Sequence, residues 1–166
     1  WGIYYYGSTN AAENLNNVIE GNEIQDFYNY GINVYGYCVN LLIKDNKISR
    51  PNRTANTTLA GIYSQQGYSR KIIGNRIFDM FKGNPTSTST FYGIYQINQT
   101  SSAYPSITSN NAIYRNDGSG TLYGIFNSSA YYVSYSHNNI IFDVDATNTN
   151  NANTIYGFYS ANSTNS

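Results

Sequence analysis

Charge is scarce in this sequence, and the few charged residues balance. Nine Lys and Arg stand against nine Asp and Glu among 166 residues, so charged residues make up 11% and the net charge is zero. Affinity for nucleic acid comes largely from neutralised phosphates, and a chain without a basic cluster is not expected to bind it. The longest apolar run is far below the ~20 residues that a membrane-spanning helix needs. We therefore expect no nucleic-acid partner and no membrane insertion.

Cysteine and histidine are almost absent, with one residue of each. Cys38 alone cannot form an internal disulfide or a zinc site built on several cysteines, and a buried free thiol is its expected state. His137 has no second Cys or His nearby with which to bind a metal, and no nucleophile elbow accompanies it. The sequence thus predicts no catalytic residue, no metal ligand and no cofactor.

Calcium is the one metal ion that the sequence leaves open. Asp143 and Asp145 would share a face if they lay on a single strand, because alternate strand residues point the same way. Two carboxylates so placed can bind Ca²⁺. The other interpretation, which we prefer, is a pair of solvated acids that lead into a polar loop.

Aromatic residues are abundant, with 19 Tyr in the chain, and many belong to a repeated motif. The motif is centred on a glycine followed by Ile or Phe, and its six copies are 29 to 33 residues apart. The copies are Gly2-Ile3, Gly31-Ile32, Gly61-Ile62, Gly93-Ile94, Gly124-Ile125 and Gly157-Phe158. A period of about 20 to 50 residues indicates a solenoid, a propeller or an array.

A second motif, Asn-x-Ile, lies between successive glycine motifs. Its copies are Asn22 to Ile24, Asn46 to Ile48, Asn75 to Ile77, Asn111 to Ile113 and Asn139 to Ile141. Short strand-like motifs thus alternate with linkers of variable length that are rich in Asn, Gly, Ser and Thr. Stacked coils would place like residues on one another at roughly 4.8 Å, so each motif's Ile would form an inward row. The sequence predicts an all-β, right-handed parallel β-helix of about six coils of ~31 residues, with little or no helix.

The pattern Tyr-Gly-Ile-Tyr followed by Ile-x-x-Asn-x-Ile resembles the right-handed parallel β-helix repeat of pectate-lyase-like folds. It resembles more closely the long secreted or surface β-helix proteins of Bacteroidota bacteria. Members of that group commonly carry an export signal at the front and a type IX secretion sorting domain at the end. The resemblance covers essentially all 166 residues. It implies the fold rather than an activity, because many functions occur on this scaffold.

The asparagine of the second motif has an expected structural role. Stacked Asn side chains can hydrogen-bond along a ladder and satisfy amides that would otherwise be buried. Asn also tolerates the left-handed backbone conformation of a tight turn. The predicted structural ladder is Asn22, Asn46, Asn75, Asn111 and Asn139. The glycine of the first motif is expected to permit a bend or a close backbone approach.

The best binding candidates lie two residues after each motif glycine. They are Tyr4, Tyr63, Tyr95, Phe126 and Tyr159, with Asn33 in the second copy. The residues before the glycine are also mostly aromatic, and strict alternation would put them on the opposite strand face. An exposed aromatic column is a flat platform on which sugar rings or partner proteins can stack. The other interpretation is that stacked rings only stabilise the sheet.

A further column, two residues after each motif Ile, alternates in charge. It reads Asp26, Arg50, Asp79, Arg115 and Asp143. Opposite charges on neighbouring strands contribute roughly 0.2–1 kcal/mol per pair. We interpret this column as a charge ladder that sets the register, with a catalytic or metal groove as the alternative.

We expect residues 1–166 to be a single β-helix segment of a longer chain, since Trp1 is not Met and lies inside a repeat. The expected location is extracellular or on a bacterial cell surface. The leading hypothesis is a non-enzymatic adhesin or stalk that binds a polysaccharide or a surface protein through its aromatic face and loops, with neighbouring coils covering its ends. The alternatives are part of a pectate-lyase-like polysaccharide lyase or hydrolase, and a self-assembling extracellular fibre subunit.

Overall fold

The computed structural model describes residues 1–7, 15–99, 104–128, 134–145 and 154–161. Within these ranges the chain forms sixteen β-strands and no α-helix. The described residues therefore include no helix that could span a membrane. The strands are β1 (Ile3–Tyr6), β2 (Val18–Glu20), β3 (Glu23–Gln25), β4 (Tyr30–Tyr35), β5 (Leu42–Lys44), β6 (Lys47–Ser49), β7 (Leu59–Gly67), β8 (Lys71–Ile73), β9 (Arg76–Phe78), β10 (Phe91–Gln99), β11 (Ser106–Ser109), β12 (Ala112–Tyr114), β13 (Leu122–Ser128), β14 (Ser134–His137), β15 (Ile140–Phe142) and β16 (Ile155–Ser160). The predicted all-β class is confirmed over these ranges.

The strands form three sheets in which neighbouring strands are parallel. Sheet 1 has the order β1-β4-β7-β10-β13-β16, sheet 2 has β2-β5-β8-β11-β14, and sheet 3 has β3-β6-β9-β12-β15. The chain therefore visits sheets 1, 2 and 3 in turn, and each strand pairs with the strand three positions further along. This arrangement is a parallel β-solenoid, as the repeat predicts.

The solenoid has about four complete turns and not the six coils predicted. The six glycine motifs correspond to the six strands of sheet 1, but a turn is complete only when the chain returns to the same sheet. Six strands in sheet 1 are separated by five intervals, and the five strands in each of sheets 2 and 3 by four, so the turns that pass through all three sheets number about four. A count of motifs therefore exceeds the number of turns.

Both predicted rows of isoleucines stack in the described structure. The rows are Ile24, Ile48, Ile77, Ile113 and Ile141 in sheet 3, and Ile3, Ile32, Ile62, Ile94, Ile125 and Phe158 in sheet 1. Middle members such as Ile62 and Ile77 are fully buried, whereas Phe158 in the last strand is 51% exposed. Cys38 is a buried free thiol, as predicted. The core is thus a set of short apolar columns that extend along the solenoid.

The predicted asparagine ladder is present with continuous hydrogen bonds. The Oδ1 of Asn75 accepts from both the backbone N–H and the Nδ2 of Asn46, at 3.1 and 2.9 Å. The same pair of bonds recurs at each step of the ladder from Asn22 to Asn139. The Nδ2 of Asn75 also donates to the Ile43 carbonyl at 3.0 Å. Each buried rung therefore satisfies backbone groups at the turn between sheets 2 and 3.

The left-handed conformation expected at the ladder asparagines lies one residue earlier, so that part of the prediction is wrong. The residue before each rung has a positive φ of between 53 and 70°, and the five are Gly21, Asp45, Gly74, Asn110 and Asn138. Gly, Asn and Asp all tolerate this conformation. The ladder residue itself is free to point its amide inward because its neighbour makes the turn.

The motif glycines allow a close backbone approach, as predicted. A Cβ at Gly61 would lie 2.7 Å from the carbonyl oxygen of Gly93 and 2.6 Å from Cγ2 of Ile77. Ile77 belongs to the interior row of sheet 3, so the missing Gly61 side chain would point into the core. Ile62, the next residue, is also fully buried. Two consecutive residues therefore face inward at the glycine, and the alternation of the strand is interrupted there.

Candidate functional site

This interruption places two aromatic columns on the same outer face of sheet 1. The ring of Tyr92, before Gly93, lies 4.4 Å from the ring of Tyr95, which follows the glycine by two residues. The equivalent rings of Tyr123 and Phe126 are 5.1 Å apart. The prediction that the two columns lie on opposite faces is therefore wrong, because it assumed strict alternation through the glycine.

The two columns form a continuous surface across the last three strands of sheet 1. We call this surface the aromatic platform, and its six rings are Tyr92, Tyr95, Tyr123, Phe126, Tyr156 and Tyr159. In the first column Tyr123 stacks on Tyr92 and Tyr156 at 5.0 and 4.9 Å, with interplanar angles of 7 and 8°. In the second column Phe126 lies 4.9 Å from Tyr95 and 5.0 Å from Tyr159. All six rings are partly exposed, so the platform can contact a ligand without rearrangement.

The predicted binding residues separate into two groups. Tyr63, Tyr95, Phe126 and Tyr159 are brought together, since Tyr63 adjoins Tyr95 at 5.2 Å. Tyr30 pairs in register with the small Ala60, and its ring stacks on the ring of Tyr63 at 5.0 Å.

Tyr4 does not join this group, because the buried Asn33 occupies its column between Tyr4 and Tyr63. Tyr4 stacks instead on Trp1 at 5.0 Å and lies near Tyr6. Among the described residues no ring contact links Tyr4 to the aromatic platform.

Partial burial raises the pKa of four tyrosine hydroxyl groups on this face of sheet 1. Burial, followed by the neighbouring tyrosines, raises the pKa of Tyr92 to about 12, and the same causes raise the pKa of Tyr63 to about 12. Burial also raises the pKa of Tyr95 and Tyr123. The surface therefore presents neutral rings whose edges can donate and accept hydrogen bonds at physiological pH.

These pKa values predict a loss of stability at alkaline pH. Between about pH 10 and 12 the unfolded chain releases protons that Tyr63 and Tyr92 retain in the folded state, so stability falls as the pH rises through this range. Denaturant unfolding at a series of pH values measures the slope. Tyr63→Phe and Tyr92→Phe are each expected to reduce it. If neither substitution changed the slope, the raised pKa values of Tyr63 and Tyr92 would not be its cause.

A second aromatic column on sheet 3 was missed in the sequence. It comprises Phe78, Tyr114 and Phe142, whose rings stack at 5.3 and 5.1 Å with angles of 12 and 7°. The guanidinium of Arg115 lies 5.2 Å from the Tyr114 ring centroid. The signal was available, since these residues directly follow the Ile of three consecutive Asn-x-Ile motifs.

An acidic cleft of about 440 Å³ lies beside this second column. Its lining includes Asp79, Asp117 and Asp143 together with Lys82 and Arg115. Arg115 forms an ion pair with Asp79 at 2.9 Å. Burial, followed by the charges of the nearby aspartates, raises the pKa of Asp117. Clustered carboxylates with one raised pKa are the arrangement that acid–base chemistry on a sugar requires.

The predicted charge column is present only in part. The Asp79–Arg115 pair is formed, but Arg50 is fully buried and donates from Nε to the Phe27 carbonyl at 3.1 Å. Asp26 accepts instead from the side chain of Asn52 at 2.9 Å. The column is therefore not a regular ladder of ion pairs.

The premise of the calcium alternative also fails, because β15 ends at Phe142. Asp143 and Asp145 are therefore not alternate residues of one strand. No group of three or more His, Cys, Asp or Glu side chains placed to hold a metal ion occurs in the described ranges.

Comparison of the chain with protein-family models, with curated proteins and with solved structures gave no match in any of the three. The strand pairing alone defines the β-solenoid, and the aromatic platform and the acidic cleft are its two candidate sites.

Proposed function

We propose that this solenoid is a non-enzymatic binding module that holds a neutral polysaccharide along the aromatic platform. The observation that supports the proposal is the pair of stacked aromatic columns on one outer face of sheet 1. The module acts as an adhesin or stalk outside the cell or on a bacterial cell surface. The resemblance of the repeat to surface β-helix proteins of Bacteroidota supports that location, and a surface protein is the alternative partner.

The chemistry of the aromatic platform favours a sugar chain. The apolar faces of sugar rings stack on aromatic rings, and tyrosine hydroxyl groups bond to sugar hydroxyls at the edge. The stacked rings are fixed by their neighbours, so little conformational entropy is lost on binding. Ring contacts of about 5 Å along each column, such as 4.9 Å between Tyr123 and Tyr156, give the platform a regular period parallel to the solenoid axis. A linear polymer that lies along this axis meets equivalent rings at successive coils.

The test replaces the central ring of the aromatic platform. Tyr123 contacts Tyr92, Phe126, Tyr156 and Tyr159. Tyr123→Ala is expected to weaken binding to soluble β-glucan, xylan or mannan about tenfold, which corresponds to roughly 1.4 kcal/mol. Isothermal titration calorimetry against each polymer measures the change.

Tyr114→Ala is the matched control for this test. Tyr114 is also the central ring of a stacked row of three, but it lies on sheet 3. The proposal expects full binding by this variant. Equal losses in both variants, or no binding of any polymer by the unaltered protein, would refute it.

The acidic cleft favours a second candidate, a carbohydrate-active enzyme. Asp117, with its raised pKa, would act as a general acid beside the carboxyl groups of Asp79 and Asp143. The same polymers serve as the test, with release of reducing ends or unsaturated products as the readout. Cleavage that Asp117→Asn abolishes would assign an enzymatic function and displace the binding module.

A further inference from the structure

One corner of the solenoid interior is polar on several neighbouring strands. The corner lies where the chain leaves sheet 1 for sheet 2. In one inward row Val34 is followed on successive strands by Ser64, Gln96 and Asn127. In the adjoining row of sheet 2, Ile72 is followed by Thr108. The polar residues begin at β7 in sheet 1 and at β11 in sheet 2, and Ser64 contacts the side chain of Arg70.

Arg70 is buried, with 1% of its surface exposed, and only part of its guanidinium is bonded. Its Nη1 donates to the Ser64 carbonyl at 2.9 Å, to the Ser64 Oγ at 3.1 Å, to the Ile97 carbonyl at 3.3 Å and to the Gln66 carbonyl at 3.4 Å. Its Nε and Nη2 are buried and have no partner. Buried N–H groups without acceptors are rare in proteins because each has lost its hydrogen bonds to water without replacing them.

Gln96 contributes a third unpaired donor to the same corner. It pairs in register with Ser64, which Arg70 contacts, and it precedes Ile97, whose carbonyl Arg70 also contacts. The Oε1 of Gln96 accepts from the Thr108 hydroxyl at 2.7 Å, which orients the amide. Its Nε2 is buried and has no partner. Three donor nitrogens therefore lie at one interior corner with no acceptor among the described residues.

The charge of Arg70 is also uncompensated in the described structure, since no ion pair involves it. Burial lowers the pKa of Arg70 to about 10, which leaves the guanidinium charged at pH 7. Cys38 is close enough to interact with Arg70, but burial raises the pKa of this thiol to about 11 and keeps it neutral. Arg50, which is equally buried, differs because each of its three nitrogens has a carbonyl partner.

We propose that the Arg70 corner binds a small inorganic anion of the halide class inside the solenoid. Such an anion accepts from Nε and Nη2 of Arg70 and from Nε2 of Gln96, and it neutralises the buried charge. A single water molecule meets these needs less well, because it accepts only two hydrogen bonds, brings two donors of its own and carries no charge. The proposal is independent of any ligand on the aromatic platform.

Crystals grown in sodium bromide test the site directly, because bromide has an anomalous X-ray signal. We expect one interior anomalous peak within hydrogen-bonding distance of Arg70 and Gln96. Density at this point without an anomalous signal would be water and would overturn the proposal. A Gln96 amide rotated so that its oxygen bonds to Arg70, with no ion present, would also overturn the proposal.

Unfolding in solution gives a second readout, with sodium chloride compared with sodium gluconate at constant ionic strength. Above the dissociation constant, each tenfold increase in chloride is expected to raise the folding equilibrium constant about tenfold. Gln96→Glu places a carboxylate beside Arg70 and is expected to fold stably and to lose the dependence on chloride. Arg70→Met is expected to lose it as well, and Gln96→Glu still provides the test if Arg70→Met does not fold.

Arg76→Met is the control, because Arg76 is exposed on sheet 3. This variant is expected to retain the full chloride dependence. Equal stability of the unaltered protein in chloride and gluconate would refute the interior site.

Discussion

Gly61→Ala is expected to destabilise the protein by about 3 kcal/mol, at the upper end of the usual range for an overpacked core. The added Cβ would meet the Gly93 carbonyl oxygen at 2.7 Å and the Cγ2 and Cδ1 of Ile77 at 2.6 and 3.0 Å. The carbonyl belongs to the adjacent strand of the same sheet, and Ile77 is fully buried. Neither neighbour can move away without disturbing several coils. Equilibrium unfolding in urea measures the change, and an unaltered m-value would show that the folded state remains compact.

Gly157→Ala is the matched control, because Gly157 occupies the same motif position in the last strand of sheet 1. Among the residues that the structure describes, its added Cβ would meet only Cδ1 of Ile141, at 4.0 Å. This variant is expected to be neutral or to gain about 0.4–1 kcal/mol through the lower entropy of its unfolded chain. If Gly157→Ala lost as much stability as Gly61→Ala, crowding between coils would not be the reason for glycine in the motif.

Asn75→Ala is expected to destabilise the protein by about 4 kcal/mol. Asn75 is fully buried and accepts from both the backbone N–H and the Nδ2 of Asn46. It also donates to the carbonyl of Ile43 and to Oδ1 of Asn111. The substitution leaves several of these groups buried without partners, each at a cost of about 1–3 kcal/mol. Thermal and denaturant unfolding both measure the loss.

The first rung of the ladder, Asn22, provides the control. No donor to its Oδ1 occurs among the described residues, and its own Nδ2 bonds to Asn46 and to the exposed Glu20 carbonyl. The hydrogen bond from its backbone N–H to the Oδ1 of Asn46 is retained in any variant. Asn22→Ala is therefore expected to lose about 1 kcal/mol or less. Similar losses at Asn22 and Asn75 would mean that burial of the ladder contributes little to stability.

The stacked rows were predictable from the sequence because the solenoid places like residues on one another. The spacing of Ile62, Ile94 and Ile125 is enough to infer that they share a row, and the register agrees. The outward direction of Tyr92 was not predictable, since alternation holds only in a regular strand. Glycine at position 93 lets two consecutive residues face inward without a clash with the next coil. No property of the isolated strand indicates this.

The interior corner around Arg70 was also not predictable from the sequence, and the reason is different. Its column contains Leu41, Arg70 and Ser106, which share no chemical character. Each comes one residue before a member of the paired set Leu42, Lys71 and Ile107. A repeat analysis detects positions that resemble one another, and these three do not. A charged residue beside Lys71 in the sequence suggests an exposed site, whereas the turn at Ser69, with a φ of 55°, precedes a side chain that is directed inward.

The asparagine ladder gives the solenoid a polarity along its axis. At every rung the earlier coil donates and the later coil accepts, so the bonds all point one way. Among the described residues, one end therefore offers the Oδ1 of Asn22 without a donor, and the other offers the backbone N–H of Asn139 without an acceptor. Two like ends cannot complete each other's ladder, but two unlike ends can. Any coil that extends this rod must bring donors to one end or an oxygen to the other.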